Sequence, residues 1–298
     1  MAWLITKQSM RFTSALGDFK NWSRFAGVST DSYAASVGTD GKFTGAITFL
    51  GHPLFFKETC MHKVFGNFPS NYQIDTTECR GVQYGSGKSL AIVNELLFYK
   101  GRTEVLVYDG SLPVGVSDAL GGVQYTDAIG GAFKDRYYIS MKTGNTYTLF
   151  FYDTQKKIWY KEDNTQVTDF AALDNDLYLL VGNDIKAEFG TVGSKDVAVA
   201  YSATSGIIGY NYANRKYISR LNVRAKLAVG SSLSIAFRYD SRGDFDVVGG
   251  VESSGFVKTE MIPLKPKRCD HFEMRITGTG DAQIFSIAKV LEVGGDGA

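Results

Sequence analysis

Apolar runs of four to six residues, broken by short turn-forming stretches, recur along the first two thirds of the chain. The clearest set lies within Ser89–Asp118, where Leu90–Val93, Leu96–Tyr99 and Val105–Tyr108 are separated by Asn94-Glu95 and Lys100-Gly101-Arg102 and closed by Asp109-Gly110-Ser111. Runs of this length, rich in β-branched and aromatic residues and punctuated by Gly, Asn and Asp, predict short antiparallel strands. A similar set precedes it at Ala46–Leu50, Leu54–Lys57 and His62–Phe65. Two more follow: Ile129–Phe133, Tyr137–Met141, Tyr147–Tyr152 and Ile158–Lys161, then Phe170–Leu173, Leu177–Val181 and Ile185–Phe189. Their middle runs centre on Phe55, Phe98, Tyr138 and Tyr178, about 40 residues apart, which is the period of β-propeller blades. One small sheet cannot bury both of its faces, so such units pack face to face. The period favours blades over one large multi-sheet sandwich.

The two ends differ from this pattern. Trp3–Thr6, Met10–Ser14 and the turn-rich Gly17–Phe25 read as the end of a repeat whose first strand is missing or sits at the extreme start. An open strand edge is a liability, so the chain is expected to be a fragment or to be completed by another chain. After the small-residue stretch Gly190–Ser194 the pattern becomes strict alternation. Tyr217, Ser219, Leu221, Val223 and Leu227 are expected on one face, with Arg220, Asn222, Arg224 and Lys226 on the other. Leu233, Ile235, Phe237 and Tyr239 are expected inward, with Ser232, Ser234 and Arg238 outward. Further strands near Phe256–Ile262, Phe272–Ile276 and Gln283–Val290 complete an antiparallel β-sandwich. The expected fold is all-β: about four to five propeller-like blades, in a set that need not be complete, over residues 1–195, and a β-sandwich over residues 196–298.

Composition narrows the function classes. Glycine is abundant (33) and proline scarce (5), so Gly, Asn and Asp make the turns. Lys and Arg (32) nearly balance Asp and Glu (31), which removes the electrostatic case for binding nucleic acid and favours self-association into a homo-oligomer. Cys60, Cys79 and Cys269 form neither a disulfide framework nor a zinc pattern. The start lacks the features of a signal peptide, and no run reaches the roughly 20 apolar residues of a membrane span. Synthesis in the cytoplasm without secretion is the expectation.

Candidate chemistry is sparse. Gly85-Ser86-Gly87-Lys88-Ser89 resembles a phosphate-binding loop, but Val82 stands where the first glycine is needed, and a hairpin pattern follows instead of a helix; an inter-blade loop is the better reading. His52, His62 and His271 are not spaced to converge on a metal. The loop Asp240–Asp246 misses the calcium-loop pattern. Asp153 and Glu162-Asp163 fit hairpin closure better than a catalytic pair. No catalytic, cofactor-binding or metal residue is therefore expected. Candidate interaction residues are the aromatics that fall outside strand alternation, Phe68, Tyr72, Tyr210 and Tyr212, which could equally pack onto their own domain. The basic stripe Arg220, Arg224 and Lys226 joins them, against the reading of an ordinary solvated face.

The stretches GDFKNW, DSYAASVGTDGKFTG, LFFKETCMHKVFGNFPSNYQI, RGVQYGSGKSLAIVNELLFYK, VYDGSLP and RKYISRLNVR…PKRCDHFEMRITGTGDAQIFSI together resemble a family of tailed-bacteriophage structural proteins found in phages of gut bacteria. The likeness covers nearly the whole chain and brings no catalytic motif. Family members are longer at the N-terminus, and their layout is similar to that of propeller-type nozzle and stabilisation proteins of phage tails. The resemblance implies a non-enzymatic component of the virion tail or connector, assembled in the host cytoplasm with other phage structural proteins. Two other classes remain: a module that binds a receptor or host-surface glycan, and a tail-associated glycan hydrolase, which would need two carboxylates facing one cleft.

Overall fold

The computed structural model describes residues 3–5, 10–188, 198–209 and 215–293. The chain divides into two compact units, Met1–Gly193 and Ser194–Ala298.

The first unit is a succession of small antiparallel sheets, each a meander of neighbouring strands. Strands β1 (Trp3–Ile5), β2 (Met10–Thr13) and β3 (Tyr33–Ser36) make the first. Strands β4 (Gly45–Phe49), β5 (His52–Phe56), β6 (Cys60–Phe65) and β7 (Gln73–Glu78) make the second. The third holds β8 (Ala91–Val93), β9 (Leu96–Lys100), β10 (Val105–Tyr108) and the short β11 (Val114–Gly115). The fourth holds β12 (Thr126–Phe133), β13 (Arg136–Thr143), β14 (Thr146–Asp153) and β15 (Ile158–Lys161). The fifth holds β16 (Asp169–Leu173), β17 (Asp176–Val181) and β18 (Asp184–Ala187). We call these sheets blades 1 to 5. Blades this small need cover, and the cores lie in the seams between them. Phe49, Leu54, Phe56 and Met61 of blade 2 meet Leu97, Tyr99, Leu106 and Tyr108 of blade 3. Phe98 and Val105 of blade 3 meet Tyr137, Ile139, Phe150 and Tyr152 of blade 4. Tyr138, Leu149 and Phe151 of blade 4 meet Leu177 and Leu179 of blade 5. Successive residues of β9 and β13 thus enter different seams, which is why their sequences run apolar without alternation.

Close approach in a seam needs a residue without a side chain. At Gly131 in β12 a Cβ would stand 2.5 Å from the Phe170 side chain of blade 5.

The strand expected at the extreme start is present and is the outer strand of blade 1. Trp3–Ile5 pair within the chain, Leu4 opposite Phe12, and β2 pairs in turn with β3. Strands β3, β7 and β11 were not distinguished in the sequence, whereas β1 and β2 fall within the expected runs Trp3–Thr6 and Met10–Ser14. The final residue expected in the fourth repeat, Phe189, lies outside the described residues.

The second unit is a two-sheet sandwich. Strands β19 (Ala200–Thr204), β20 (Lys216–Leu227), β21 (Ser232–Tyr239), β22 (Arg242–Val251), β23 (Val257–Pro263), β24 (Phe272–Thr279) and β25 (Ala282–Val293) form sheets ordered β19-β24-β21-β22 and β23-β20-β25. Leu221, Val223 and Leu227 face Leu233, Ile235, Phe237 and Phe272 across the core. The alternation holds from Leu221 onward but not before it. A bulge between Ile218 and Arg220 in the ladder with β25 shifts the phase, so Ile218 is buried where Tyr217 and Ser219 were expected.

Candidate functional site

The Gly-rich stretch is a connector between blades. Gly87–Ser89 form one 3-10 turn that feeds β8 directly. The Ser86 hydroxyl accepts the Ala128 N–H at 3.0 Å, and the Tyr137 hydroxyl donates to the Ser89 carbonyl at 2.7 Å. Lys88 reaches the Asp169 carboxylate at 3.1 Å and the Thr168 carbonyl at 3.2 Å, linking blade 3 to blade 5. Its ammonium serves the fold, and no helix N-terminus follows that could hold a phosphate.

Just before this connector an aromatic ring is presented to solvent. The Gln83–Ser86 turn closes with the Ser86 N–H donating to the Gln83 carbonyl at 3.0 Å. Gly85 supplies its left-handed backbone, φ 86°. Tyr84 at the tip is 64% exposed. Its N–H donates to the Glu58 carboxylate at 3.1 Å, which fixes the turn against the β5–β6 hairpin. The Gly81 N–H donates to the Glu58 carbonyl at 3.0 Å, and the Cys79 N–H to the Thr59 carbonyl at 3.1 Å.

The opposite wall is the segment that leads into β4. Phe43 anchors it, with its ring 6.3 Å from Phe55 and 5.8 Å from His62 and the Lys57 ammonium 5.0 Å from its centroid. The Thr44 N–H and hydroxyl both donate to the Phe56 carbonyl, at 2.8 and 3.2 Å. Lys42 is thereby placed 5.7 Å from the centroid of the Tyr84 ring. Asp40, Lys42, Thr44, Glu58, Thr59 and Tyr84 line an open cleft of about 500 Å³. It offers one phenol ring, two carboxylates, two threonine hydroxyls and one ammonium, a set suited to a polyhydroxylated ligand. Sequence reasoning missed this site. Its one legible sign was a tyrosine in a turn-rich stretch, with no strand in which to bury the ring.

A second polar cluster lies in the seam of blades 4 and 5. Burial, with Glu162 and Asp163 nearby, pushes the Glu188 carboxyl up to about 7. Burial and the adjacent Asp163 raise Glu162 as well, and Arg136 opposes that rise. Arg136 lies 4.6 Å from the centroid of the Phe151 ring.

The sequence-derived interaction residues do not converge. Phe68 is 46% exposed at the start of a 3-10 turn, where its N–H donates to the Asn71 side chain at 2.9 Å. Tyr72 packs edge-on against Tyr33 of β3, with centroids 5.5 Å apart. Arg220, Arg224 and Lys226 are exposed on the outer face of β20, where Arg220 contacts the Met261 sulfur at 3.7 Å. Tyr210 and Tyr212 lie outside the described residues. The three cysteines are unlinked, and among the described residues no group of metal-ligating side chains converges. His62 is buried and tied to Thr39 at 3.1 Å and Thr76 at 2.8 Å. Among the described residues no helix is long and apolar enough to cross a membrane.

No protein-family model and no curated protein matches the chain. Solved structures do match. One is an exo-β-1,3-galactanase from Phanerochaete chrysosporium with galactose, 9% identical with a TM-score of 0.33, covering 94% of this chain and 90% of that one. Another is a glycoside hydrolase family 43 arabinoxylan arabinofuranohydrolase from Bacillus subtilis in complex with cellotetraose, 8% identical with a TM-score of 0.25, covering 97% and 95%. These matches correct two expectations. The reading as a phage structural component and the reading as a chain without enzymatic activity are both withdrawn, because the matching structures are glycoside hydrolases. At such identities and TM-scores the likeness assigns no substrate, catalytic residue or mechanism to this chain.

Proposed function

We propose that the chain binds carbohydrate and that the Tyr84 cleft is its contact site. The observation that carries this reading is the exposed Tyr84 ring, held by its N–H bond to Glu58 and bordered by Asp40, Lys42 and Thr59. A pyranose has an apolar face of C–H groups and a rim of hydroxyls. The phenol ring accommodates the face, while Asp40 and Glu58 accept from hydroxyls and Lys42 donates to them. The ring needs little ordering on binding, because the turn below it is already fixed.

Titration calorimetry against a panel of neutral β-linked oligosaccharides tests this. Binding in the micromolar to millimolar range is expected for at least one member, with about tenfold weakening in Tyr84→Ala. Lys42→Ala should weaken it less. An absence of binding across the panel, or binding unchanged in Tyr84→Ala, overturns the proposal.

A further inference from the structure

The seam between blades 3 and 4 is not filled along its whole length. In blade 3, Val107 lies opposite Phe98 on one side and Val114 on the other, so the three side chains share the face that meets blade 4. In blade 4, Tyr152 lies opposite Tyr137 on the facing wall. Near the β10–β11 and β14–β15 connections these walls enclose a cavity of about 380 Å³. That is at the small end of the range for small-molecule sites, roughly 300–1,000 Å³. Leu96, Phe98, Val107 and Val116 give it an apolar lining, and Asp109 and Lys157 stand exposed on opposite walls. It shares no lining residue with the Tyr84 cleft.

Three polar groups of this cavity lack a partner. Tyr152 is only 8% exposed, yet among the described residues its hydroxyl has no hydrogen bond. Its neighbour Tyr137 gives its hydroxyl to the Ser89 carbonyl at 2.7 Å, which is the usual arrangement for a buried phenol. The Ser111 N–H and hydroxyl both donate to Asp109 Oδ1, at 2.9 and 2.6 Å. They fix the carboxylate, hold its pKa below the usual range, and leave Oδ2 without a donor among the described residues. Lys157 is held in its turn by its N–H bond to the Asp153 carbonyl at 2.8 Å. Lys156 takes the Asp153 carboxylate at 3.9 Å, and Lys157 has no ion pair among the described residues.

We propose that this cavity binds a free α-amino acid with an apolar side chain. The side chain packs on Phe98, Val107 and Val116. The ligand ammonium donates to Asp109 Oδ2, and the ligand carboxylate accepts from the Tyr152 hydroxyl and the Lys157 ammonium. A zwitterion matches a carboxylate on one wall and an ammonium on the other. An apolar ligand with a single charge leaves one of them unmatched and meets the other with like charge.

Titration calorimetry with L-phenylalanine and L-leucine tests this, with a dissociation constant between about 10 µM and about 1 mM expected for at least one of them. The analogues 3-phenylpropionate, which lacks the ammonium, and 2-phenylethylamine, which lacks the carboxylate, should each bind about tenfold or more weakly than L-phenylalanine. Tyr152→Phe should weaken amino-acid binding about three- to tenfold, and Asp109→Asn about tenfold or more. The thermal midpoint of ligand-free Tyr152→Phe should equal that of the wild type, because the hydroxyl has no bond to lose. Tyr84→Ala should leave amino-acid binding unchanged, which separates this cavity from the carbohydrate cleft. No binding of either amino acid overturns the proposal, as do single-charge analogues that bind as well or binding that both cavity variants leave intact. A lower midpoint in Tyr152→Phe also overturns it, by showing that the hydroxyl is already bonded within the fold.

Discussion

Tyr138 and Tyr178 occupy corresponding places in blades 4 and 5, yet their surroundings differ. Both lie on the central strand of a blade and on its face directed away from the preceding blade. Tyr138 is fully buried, with Phe170 of blade 5 6.4 Å away between centroids. Tyr178 is half-buried, its hydroxyl 3.4 Å from Asp176, and the depression it lines holds only residues of its own blade. Phe98 extends the comparison one blade back, stacked 5.1 Å from Tyr137. The residue type at this position reflects the repeat; its burial depends on whether another blade follows. A blade contributes to stability largely through the seams it forms, because its own sheet is too small to bury a side chain alone.

The largest expected effect breaks this comparison most directly. Tyr138→Ala should destabilise the first unit by about 3–5 kcal/mol, the range for a large buried aromatic residue. Tyr178→Ala should cost less than about 1 kcal/mol. Tryptophan fluorescence during urea denaturation reads this unit alone, since Trp3, Trp22 and Trp159 all precede Ser194. Equal losses, measured at submicromolar concentration, would mean that Tyr178 is buried in solution and would remove the distinction between the blades.

A smaller effect is expected in the seam itself. In Gly131→Ala the new methyl group would meet Phe170, which must move or strain the strand. Overpacking of this kind costs about 1–3 kcal/mol. In a Phe170→Ala background the same substitution should cost clearly less, because the obstructing ring is gone. If Gly131→Ala costs the same in both backgrounds, the close approach of blades 4 and 5 is not what requires the glycine.

The middle blades were the most legible part of the sequence, for the same physical reason. Strands buried on both faces, such as Leu96–Lys100 and Arg136–Thr143, leave dense apolar runs bounded by sharp turns. The outer strands were not visible. Gln73–Glu78 is polar because most of its side chains are exposed, and Val114–Gly115 is only two residues long. The sandwich alternation was legible from Leu221 onward, but a single bulge near Ser219 reversed the phase, and period-2 patterns carry no warning of an inserted residue. The Tyr84 cleft was harder still. It joins Asp40, Glu58 and Tyr84 from three separate loops, and their convergence depends on the anchoring of Phe43 and on the Glu58 carboxylate turning back to the Tyr84 N–H.

The smallest expected effect concerns the rim of the same seam and depends on pH. Glu188, Glu162 and Asp163 bring carboxyl groups from blades 4 and 5 together, with Arg136 and Lys186 as the opposing cations. The Glu188 carboxyl is raised from 4.5 to about 7, so the folded chain holds this proton more tightly than the unfolded chain does. Its contribution to stability is therefore complete below about pH 4.5 and is lost as pH rises through about 7. Between pH 6 and pH 8 the first unit should lose stability in the wild type. Glu188→Gln, which keeps the neutral shape, should flatten that slope and be the more stable protein at pH 8. The raised Glu162 acts in the same direction and leaves a residual slope. Within the first unit, Asp31 and Asp109 have lowered values and act in the opposite direction, at pH values below this window. Urea midpoints at pH 6, 7 and 8 read the difference. Parallel pH profiles for wild type and Glu188→Gln would show that the two blades meet at this rim without the carboxyl crowding described, and that their seam is held by its apolar side chains alone.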